Sequence, residues 1–285
     1  MNRIRIASRA SRLALAQAHW VIERLHVAAP DVTFDIVEIT TSGDVDRTSP
    51  VATLTEIGAF VRAVQTAVID GVADIAVHSC KDLPVIGPDG LVQHFPLRES
   101  PWDVLCGKAL EGLGSGSRVG TGSPRRVAQL AALRPDLRID GIRGNVDTRL
   151  GKVASGEYDA VVLAEAGLNR IGRESEITHR FDIATMVPAP AQGALCIETR
   201  RDDPAAELAS AVDDPTTRRA VEAERMVLSL TGAGCRSALG AYATDAAGRI
   251  SLTGFVADEH GARRAVVEAV DPPAAARSLR SELGL

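Results

Sequence analysis

The sequence predicts an α/β protein in which one unit of strands and helices occurs twice, followed by a small α+β region. Residues 1–93 and 99–187 follow the same order of predicted elements. Both copies contain a predicted helix that ends at a Gly, followed three residues later by an Asp that opens a buried strand. This pattern occurs at residues 71–78 and again at 156–163. Buried strands that alternate with helices are typical of mainly parallel sheets with right-handed connections. After residue 213, short strands joined by turns indicate an antiparallel sheet.

The first copy reads as strand, turn, helix, strand, loop, helix and strand. Ile4 and Ile6 mark the first strand, and Ser11 is predicted to cap a helix in which apolar residues recur at helical spacing up to Leu25. A strand at 32–39, a polar loop at 45–58, a helix at 59–69 and a buried strand at 74–78 follow.

The second copy repeats this order, and further elements follow it. The predicted elements are a strand before Ser123, a helix at 127–133, a strand at 139–142, a helix that opens near residues 143–149 and a strand ending at 163. An apolar strand at 194–198 comes next. The C-terminal region is predicted as a helix at 216–230, strands at 239–243, 249–256 and 264–270, and a helix at 273–283.

Composition limits the possible classes of protein. At 285 residues, with 45% hydrophobic and 24% charged residues, the chain fits a soluble globular protein of two or three domains. The domains are predicted as residues 1–93 with 192–212, residues 99–187, and residues 213–285. No run of 18 apolar residues and no signal-peptide core is found, so we expect a cytoplasmic protein. Only 3% of residues are aromatic and the net charge is −5, which makes nucleic acid an unfavourable partner.

The four cysteines, at 80, 106, 196 and 235, form no C-x-x-C pair. This argues against a structural zinc site and a disulfide framework, and we predict no metal. Cys106 and Cys196 lie in apolar runs and are expected to be inert core thiols. Cys235 differs, because Gly232 and Gly234 leave the sulfur unshielded and Arg236 favours the thiolate. Taken alone, this loop fits a small cysteine that fills a tight turn better than it fits a reactive thiol.

Polar residues cluster at the carboxyl ends of the predicted strands in both copies. They are Arg9 and Ser11; Ser79, Lys81 and Asp82; Ser123, Arg125 and Arg126; Arg143, Asn145 and Arg149. Ligands of open α/β sheets bind at this end, next to helix N-termini. Any single arginine is more often a solvated surface charge. The repeated pattern nevertheless predicts a cleft between the two copies for an anionic ligand, since arginine matches carboxylates and phosphates.

These motifs, taken together, resemble those of the hydroxymethylbilane synthase family, also called porphobilinogen deaminases, over nearly the whole chain. The matching stretches are SRASRLALAQ (8–17), AVHSCKDLP (76–84), GTGSPRR (120–126), IRGNVDTRL (142–150), PAQGA (190–194) and Gly234-Cys235. Several motifs in the right order are far more specific than any one of them.

The resemblance implies two lobes like those of type II periplasmic binding proteins and a third domain that carries the cysteine. It implies a dipyrromethane cofactor, built from two porphobilinogen units and attached by a thioether to Cys235. The implied reaction joins four porphobilinogen molecules head to tail into hydroxymethylbilane and releases four ammonia molecules. Asp82 matches the catalytic aspartate, which helps to protonate the leaving amine. The resulting azafulvene is attacked by the terminal pyrrole of the growing chain. A monomer that passes its product to uroporphyrinogen-III synthase is also implied.

The resemblance also assigns binding residues. The residues implied to hold the cofactor are Cys235, Ser79, Lys81, Asp82, Ser123, Arg125, Arg126 and Asn145. Those implied to contact substrate are Arg9, Ser11, Gln17, Arg143, Arg149, Arg170 and Gln192. The arginines would hold acetate and propionate groups.

The sequence departs from the family pattern in places that leave Asp82 and Cys235 unchanged. Residues 55–60 lack the lysine of the usual lid sequence, Arg12 replaces a proline, Trp102 stands where an arginine is usual, and Ser237-Ala238 replaces an apolar-Pro pair. A divergent paralogue that binds pyrroles or other carboxylated ligands without efficient polymerisation is therefore an alternative. A solute-binding or effector-sensing module is a second, although it needs no cysteine domain. Asp82 also has a structural alternative as a cap for the next helix.

Overall fold

A computed structural model describes residues 3–39, 54–232 and 237–285, with the backbone alone at residues 54–57 and 59. The strands are β1 (Arg3–Arg9), β2 (Thr33–Ile39), β3 (Ile75–Ser79), β4 (Leu91–His94), β5 (Asp103–Gly107), β6 (Arg118–Gly120), β7 (Arg138–Asp140), β8 (Ala160–Ala164), β9 (Ile177–Arg180), β10 (Leu195–Arg200), β11 (Ala238–Ala246), β12 (Arg249–Asp258) and β13 (Gly261–Ala269). The α-helices are α1 (Arg12–Ala28), α2 (Leu54–Ile69), α3 (Pro124–Leu133), α4 (Val146–Ala154), α5 (Glu165–Arg170), α6 (Pro204–Ser210), α7 (Pro215–Thr231) and α8 (Pro272–Glu282). Within these ranges, no helix combines the length and apolarity that a bilayer crossing requires.

The chain forms two compact units. The first unit consists of Met1–Arg98 with Ala194–Arg218, and the second of Glu99–Gly193 with Arg219–Leu285. The second unit therefore contains both the second predicted copy and most of the C-terminal region. The division into three domains stays a prediction.

The first unit is built on a five-stranded sheet in the order β2-β1-β3-β10-β4. β1 pairs in parallel with β2 and β3, whereas β10 runs antiparallel to β3 and β4. Ile4 and Ile6 of β1 pack with Val21 and Leu25 of α1 in one buried cluster. Ala7, the next residue along β1, packs in a second buried cluster that contains residues of α2. Because neighbouring residues of a strand point to opposite faces, α1 and α2 lie on opposite faces of the sheet.

The second unit contains a sheet with the same pattern, β7-β6-β8-β5-β9. β6 is parallel to β7 and β8, and β5 is antiparallel to β8 and β9. The two sheets match strand for strand, which confirms that one α/β unit occurs twice. The antiparallel strand has the same place in both sheets but comes from different places in the sequence: β10 follows the second copy, whereas β5 lies within it, before β6. Sequence periodicity alone does not give its position.

The second unit also contains a three-stranded antiparallel sheet, β11-β12-β13. Its buried residues Ile250 and Leu252 pack with Val227 of α7 and Leu279 of α8. Burying each such aliphatic side chain contributes about 1.5–3 kcal/mol. This sheet and the two repeated sheets confirm the predicted fold class, two similar α/β lobes and a small α+β region with a three-stranded antiparallel sheet.

The prediction that residues 45–58 form a loop was partly wrong. The structure describes α2 from Leu54 onward, earlier than the helix start predicted at residue 59. Apolar residues at positions 54, 57, 61, 64 and 68 keep helical spacing, a signal that outweighs the polar residues between them. The rest of the predicted loop, up to residue 53, lies outside the described residues.

Candidate active site

Asp82 lies at the end of the 3-10 turn Cys80–Asp82, which directly follows β3. Its side chain is exposed, and among the described residues it accepts no hydrogen bond and forms no ion pair. The chain continues from this turn to β4, and the next α-helix begins only at Pro124. The alternative that Asp82 caps the next helix is therefore wrong.

Ser79 and Gln17 form one hydrogen-bonded pair behind this turn. The buried Gln17 of α1 donates from Nε2 to Oγ of Ser79, the last residue of β3, at 2.7 Å. Lys81 lies between Ser79 and Asp82 in the sequence, and its side chain is half-buried. The hydrogen bond attaches the start of the turn to α1, so Gln17 supports the turn. The predicted contact of Gln17 with substrate stays a prediction.

Arg9 and Ser11 lie at the junction of β1 and α1. Arg9 is the last residue of β1, and its guanidinium carbon is 3.9 Å from the centroid of the Phe60 ring. This is a cation–π distance, and it anchors the Arg9 side chain next to α2. Ser11 accepts a hydrogen bond from the Ala14 amide at 3.3 Å, which confirms that it caps α1.

A buried polar cluster that the sequence did not reveal lies on the strands behind the Asp82 turn. Glu198 of β10 is 1% exposed and lies 3.1 Å from Nε2 of His78, the residue before Ser79. Glu198 also accepts hydrogen bonds from Gln65 of α2 and Gln93 of β4, both at 2.9 Å. Burial acts to raise the pKa of Glu198, but the contacts with His78, Gln93 and Gln65 outweigh it and lower the pKa. In the sequence, the only indication of this cluster was a glutamate inside an apolar strand.

Arg125 and Arg126 open α3 and turn inward. Both side chains are buried and pair with the carboxylate of Asp103, the first residue of β5, at 2.6 and 2.7 Å. Arg125 also donates to the carbonyl of Val187 at 2.7 Å, and Arg126 to that of Val162 at 2.8 Å. The structure thus places these two predicted ligand-binding residues in the interior, where each already has protein partners.

Asp103 is the hub of this second cluster. It is fully buried and also accepts a hydrogen bond from Nε2 of Gln192 at 3.0 Å. Burial opposes ionisation, but the charges of Arg125 and Arg126 dominate and hold the pKa of Asp103 far below its usual range. The sequence did not reveal Asp103 as a residue of the site. The only signal was an acidic residue at the start of an apolar strand.

Ser123 and Asn145 cap the helices that carry the predicted binding arginines. Ser123 accepts from the amide of Arg126 at the start of α3, and Asn145 accepts from the amide of Thr148 at 2.9 Å at the start of α4. Arg143 is exposed in the loop between β7 and α4. Arg149 of α4 is half-buried and donates from Nε to the carbonyl of Gly144 at 2.8 Å. Helix N-termini and exposed guanidinium groups both favour bound anions.

Arg170 and Gln192 meet at the segment that precedes β10 in the sequence. Arg170 donates to the carbonyl of Gly193 at 2.6 Å, while Gln192 donates to the carbonyl of Pro101 at 2.8 Å. Ala191 has a φ of 62°. Its amide nevertheless donates to the buried carboxylate of Glu224 at 2.5 Å. Such a left-handed residue persists only where its surroundings hold it, as Glu224 does here.

Cys235, the predicted cofactor attachment point, lies outside the described residues. Cys80, Cys106 and Cys196 are all buried, which confirms the core position expected for Cys106 and Cys196. Burial raises the pKa of Cys106 to about 12, so its thiolate is scarce at neutral pH.

The fold and its side chains define a class, an α/β protein with two similar lobes, arginine-rich strand ends and an exposed carboxylate after a buried strand. The family profile described as "Porphobilinogen deaminase, dipyromethane cofactor binding domain" matches residues 4–207, and "Porphobilinogen deaminase, C-terminal domain" matches residues 218–284. The chain therefore belongs to the porphobilinogen deaminase family, whose members are transferases of porphyrin biosynthesis that use a dipyrromethane cofactor.

Individual relatives agree with this assignment. The chain is 46% identical to the porphobilinogen deaminase of Thermobifida fusca, with 96% of this chain and 84% of the relative covered. It is 42% identical to that of Brevibacillus brevis, with 92% and 86% covered. Among solved structures, YhfZ from Shigella flexneri aligns with a TM-score of 0.37 at 19% identity, covering 82% of this chain and 92% of that one. A similarity this low adds nothing to the assignment.

Proposed function

We propose that this chain performs the reaction of its family, the polymerisation of four porphobilinogen molecules into hydroxymethylbilane, with Asp82 as the catalytic residue and Cys235 as the cofactor attachment point. The observation that carries the proposal is Asp82 itself. It is an exposed carboxylate in a turn held by Ser79 and Gln17, with no structural partner in the described part of the chain. A carboxylate left unused by the fold is available for substrate.

The chemistry expected of Asp82 follows from its charge and exposure. An ionised carboxylate can accept hydrogen bonds from pyrrole N–H groups and stabilise the positive charge that develops when ammonia leaves. It can also hold and return a proton at Oδ during that step. Lys81 and Ser79, in the same turn, supply a cation and a hydroxyl next to this carboxylate in the sequence.

The residues at the helix N-termini of the second unit fit a ligand with several carboxylates. Arg143 is exposed, Asn145 caps α4, and Arg125 and Arg126 place two guanidinium groups against one carboxylate. This donor set is cationic and forked, as bidentate carboxylate binding requires. When bound, the dipyrromethane supplies the pyrrole to which porphobilinogen is added. We assign Arg125, Arg126, Ser123 and Asn145 to hold its carboxylates.

Cys235 is favoured as the attachment point by the state of the other thiols. The three cysteines that the structure describes are buried, and a buried apolar thiol is a poor nucleophile. Gly234 directly precedes Cys235 in the sequence, and Gly232 lies three residues before it. A covalent adduct is therefore expected on Cys235.

The intact mass of the freshly purified protein tests this proposal. We expect a mass above that of the sequence by one dipyrromethane, because the thioether survives purification. Peptide mapping should place the excess on the peptide that contains Cys235. Active protein that shows the sequence mass alone would contradict the proposal.

Replacing Arg143 with Leu should weaken carboxylate binding without affecting folding. Arg143 is exposed, so its loss leaves no buried group unpaired. Each lost charge-assisted contact should raise the KM for porphobilinogen about ten-fold to a hundred-fold. The matched control is Arg138→Leu, since Arg138 is also exposed and lies at the opposite end of β7. Equal KM values for the two variants would remove Arg143 from the binding site.

Three further expectations belong to the same proposal and rest on the family resemblance and the sequence. They are a monomeric enzyme, a cytoplasmic location and transfer of the product to uroporphyrinogen-III synthase. Analytical ultracentrifugation checks the first. The divergent-paralogue alternative is not favoured, because the family profiles cover nearly the whole chain and Asp82 and Cys235 are both retained.

A further inference from the structure

We propose that Asp103 is a positioning residue for ligand binding: it fixes Arg125 and Arg126 side by side and leaves them one net positive charge, which one carboxylate of the pyrrole ligand neutralises. The inference deepens the proposed function and rests on it. It concerns only residues of the second unit.

The geometry places both guanidinium groups on one carboxylate. Arg125 contacts Oδ2 of Asp103 at 2.6 Å and Oδ1 at 3.3 Å, while Arg126 contacts Oδ1 through Nε at 2.8 Å. The carbonyl of Val187 accepts from Nη1 of Arg125, the same nitrogen that contacts Oδ2, and the carbonyl of Val162 accepts from Nη1 of Arg126. The two planar groups therefore have fixed positions before any ligand arrives. Such preorganisation lowers the entropic cost of binding.

The charges in this cluster do not balance. Asp103 is the only carboxylate that pairs with Arg125 or Arg126 in the described ranges, so two positive groups face one negative group. All three side chains are at most 7% exposed. Solvent therefore screens the excess charge weakly, and the positive N-terminal end of α3 adds to it. One ligand carboxylate restores neutrality.

A purely structural role, pairing with the buried Asp103 carboxylate, requires only one of the two arginines. A buried ion pair needs one guanidinium for one carboxylate, and a second buried cation adds a desolvation cost without a second counter-charge. The two arginines together also carry more N–H donors than Asp103, Val162 and Val187 can accept. Both the unbalanced charge and the remaining donors are what a carboxylate site requires.

Asp103 also ties the arginine pair to the rest of the unit. It opens β5, and it accepts from Gln192, which donates to the carbonyl of Pro101 as well. The carboxylate thus fixes α3, β5 and the segment that holds Gln192 in one arrangement. A change at Asp103 should move the arginines without removing them.

The experiment compares cofactor loading and KM in Asp103→Asn and Asp103→Glu with wild type. Asparagine keeps the shape of the side chain but loses the charge that aligns the arginines. Glutamate keeps the charge but displaces both guanidinium groups by one methylene. For Asp103→Asn we expect the fraction of protein with cofactor mass on the Cys235 peptide to fall at least about tenfold. For Asp103→Glu we expect a KM for porphobilinogen raised about tenfold, with kcat changed less.

Asp74→Asn is the matched control. Asp74 is also a buried carboxylate that pairs with two arginines, Arg5 and Arg200, at 2.7 and 3.3 Å, but here Arg200 also pairs with Asp203, so the charges balance. It lies just before β3, at the end opposite Ser79. Asp74→Asn should lose thermal stability but keep full cofactor loading and an unchanged KM. This pattern separates positioning from a general loss of stability.

Full loading and an unchanged KM in both Asp103 variants would overturn the inference. It would also be overturned if neither variant folded, because Asp103 would then serve folding alone. Wild-type protein without the added mass and without activity would instead contradict the proposed function itself. The two failures are therefore distinguishable.

Discussion

Replacing Asp82 with Asn is expected to slow the consumption of porphobilinogen at least about a hundredfold while leaving thermal stability nearly unchanged. The structure gives the reason for both parts. The Asp82 side chain is exposed and forms no hydrogen bond or ion pair with the residues that the structure describes. An isosteric amide therefore removes no interaction that supports the fold. An amide cannot exchange a proton or carry the negative charge that stabilises a cationic intermediate. Steady-state assays and thermal melts measure the two effects.

Asp89→Asn is the matched control for this prediction. Asp89 is also exposed and lies in the same connection between β3 and β4. It should keep wild-type activity. If wild type and Asp82→Asn were equally inert toward porphobilinogen, the divergent-paralogue alternative would be correct. If they were equally active, Asp82 would have no catalytic role.

Replacing Cys235 with Ala is expected to abolish the covalent adduct and, with it, measurable turnover. Without the sulfur no thioether can form, and the intact mass should equal that of the sequence. Because Cys235 lies among glycines in a predicted loop, we expect the variant to fold. Intact-mass measurement and the release of a linear tetrapyrrole, which cyclises to uroporphyrinogen I without a partner enzyme, give two independent readouts.

Cys106→Ala provides the comparison for the cysteine variant. Cys106 lies inside β5 and burial keeps its thiol protonated, so it cannot serve as the attachment nucleophile. The variant should lose some stability through a small cavity, yet carry the full adduct. An adduct that persists in Cys235→Ala, or disappears in Cys106→Ala, would show that the attachment point is wrongly assigned.

The placement of the predicted site residues at strand ends and helix starts could be read from the sequence. Ser11 and Ser123 have the residue type and position of helix caps, and both cap helices in the structure. These signals are local, since a cap depends on the few residues that follow it. The motif around Asp82 also identified a turn after a buried strand, although it left a capping role open.

Only the tertiary structure decided how the arginines are arranged. Arg125, Arg126 and Arg143 look alike in the sequence, yet the first two are buried against Asp103 and the third is exposed. The partner Asp103 is distant in sequence and is brought to α3 by the antiparallel strand β5. Side-chain direction depends on which strand lies next to a helix, and local periodicity carries no information about that neighbour.

The sequence by itself therefore determined the repeated α/β unit, the residue types of the site and the family, because each depends on local pattern or on several motifs in order. The tertiary structure alone decided that Asp82 forms no hydrogen bond or ion pair with the described residues and that Gln17 supports Ser79. It also decided that Arg125 and Arg126 share one buried carboxylate. These contacts join residues far apart in the chain. Their geometry and charge balance arise only when the sheets and helices pack together.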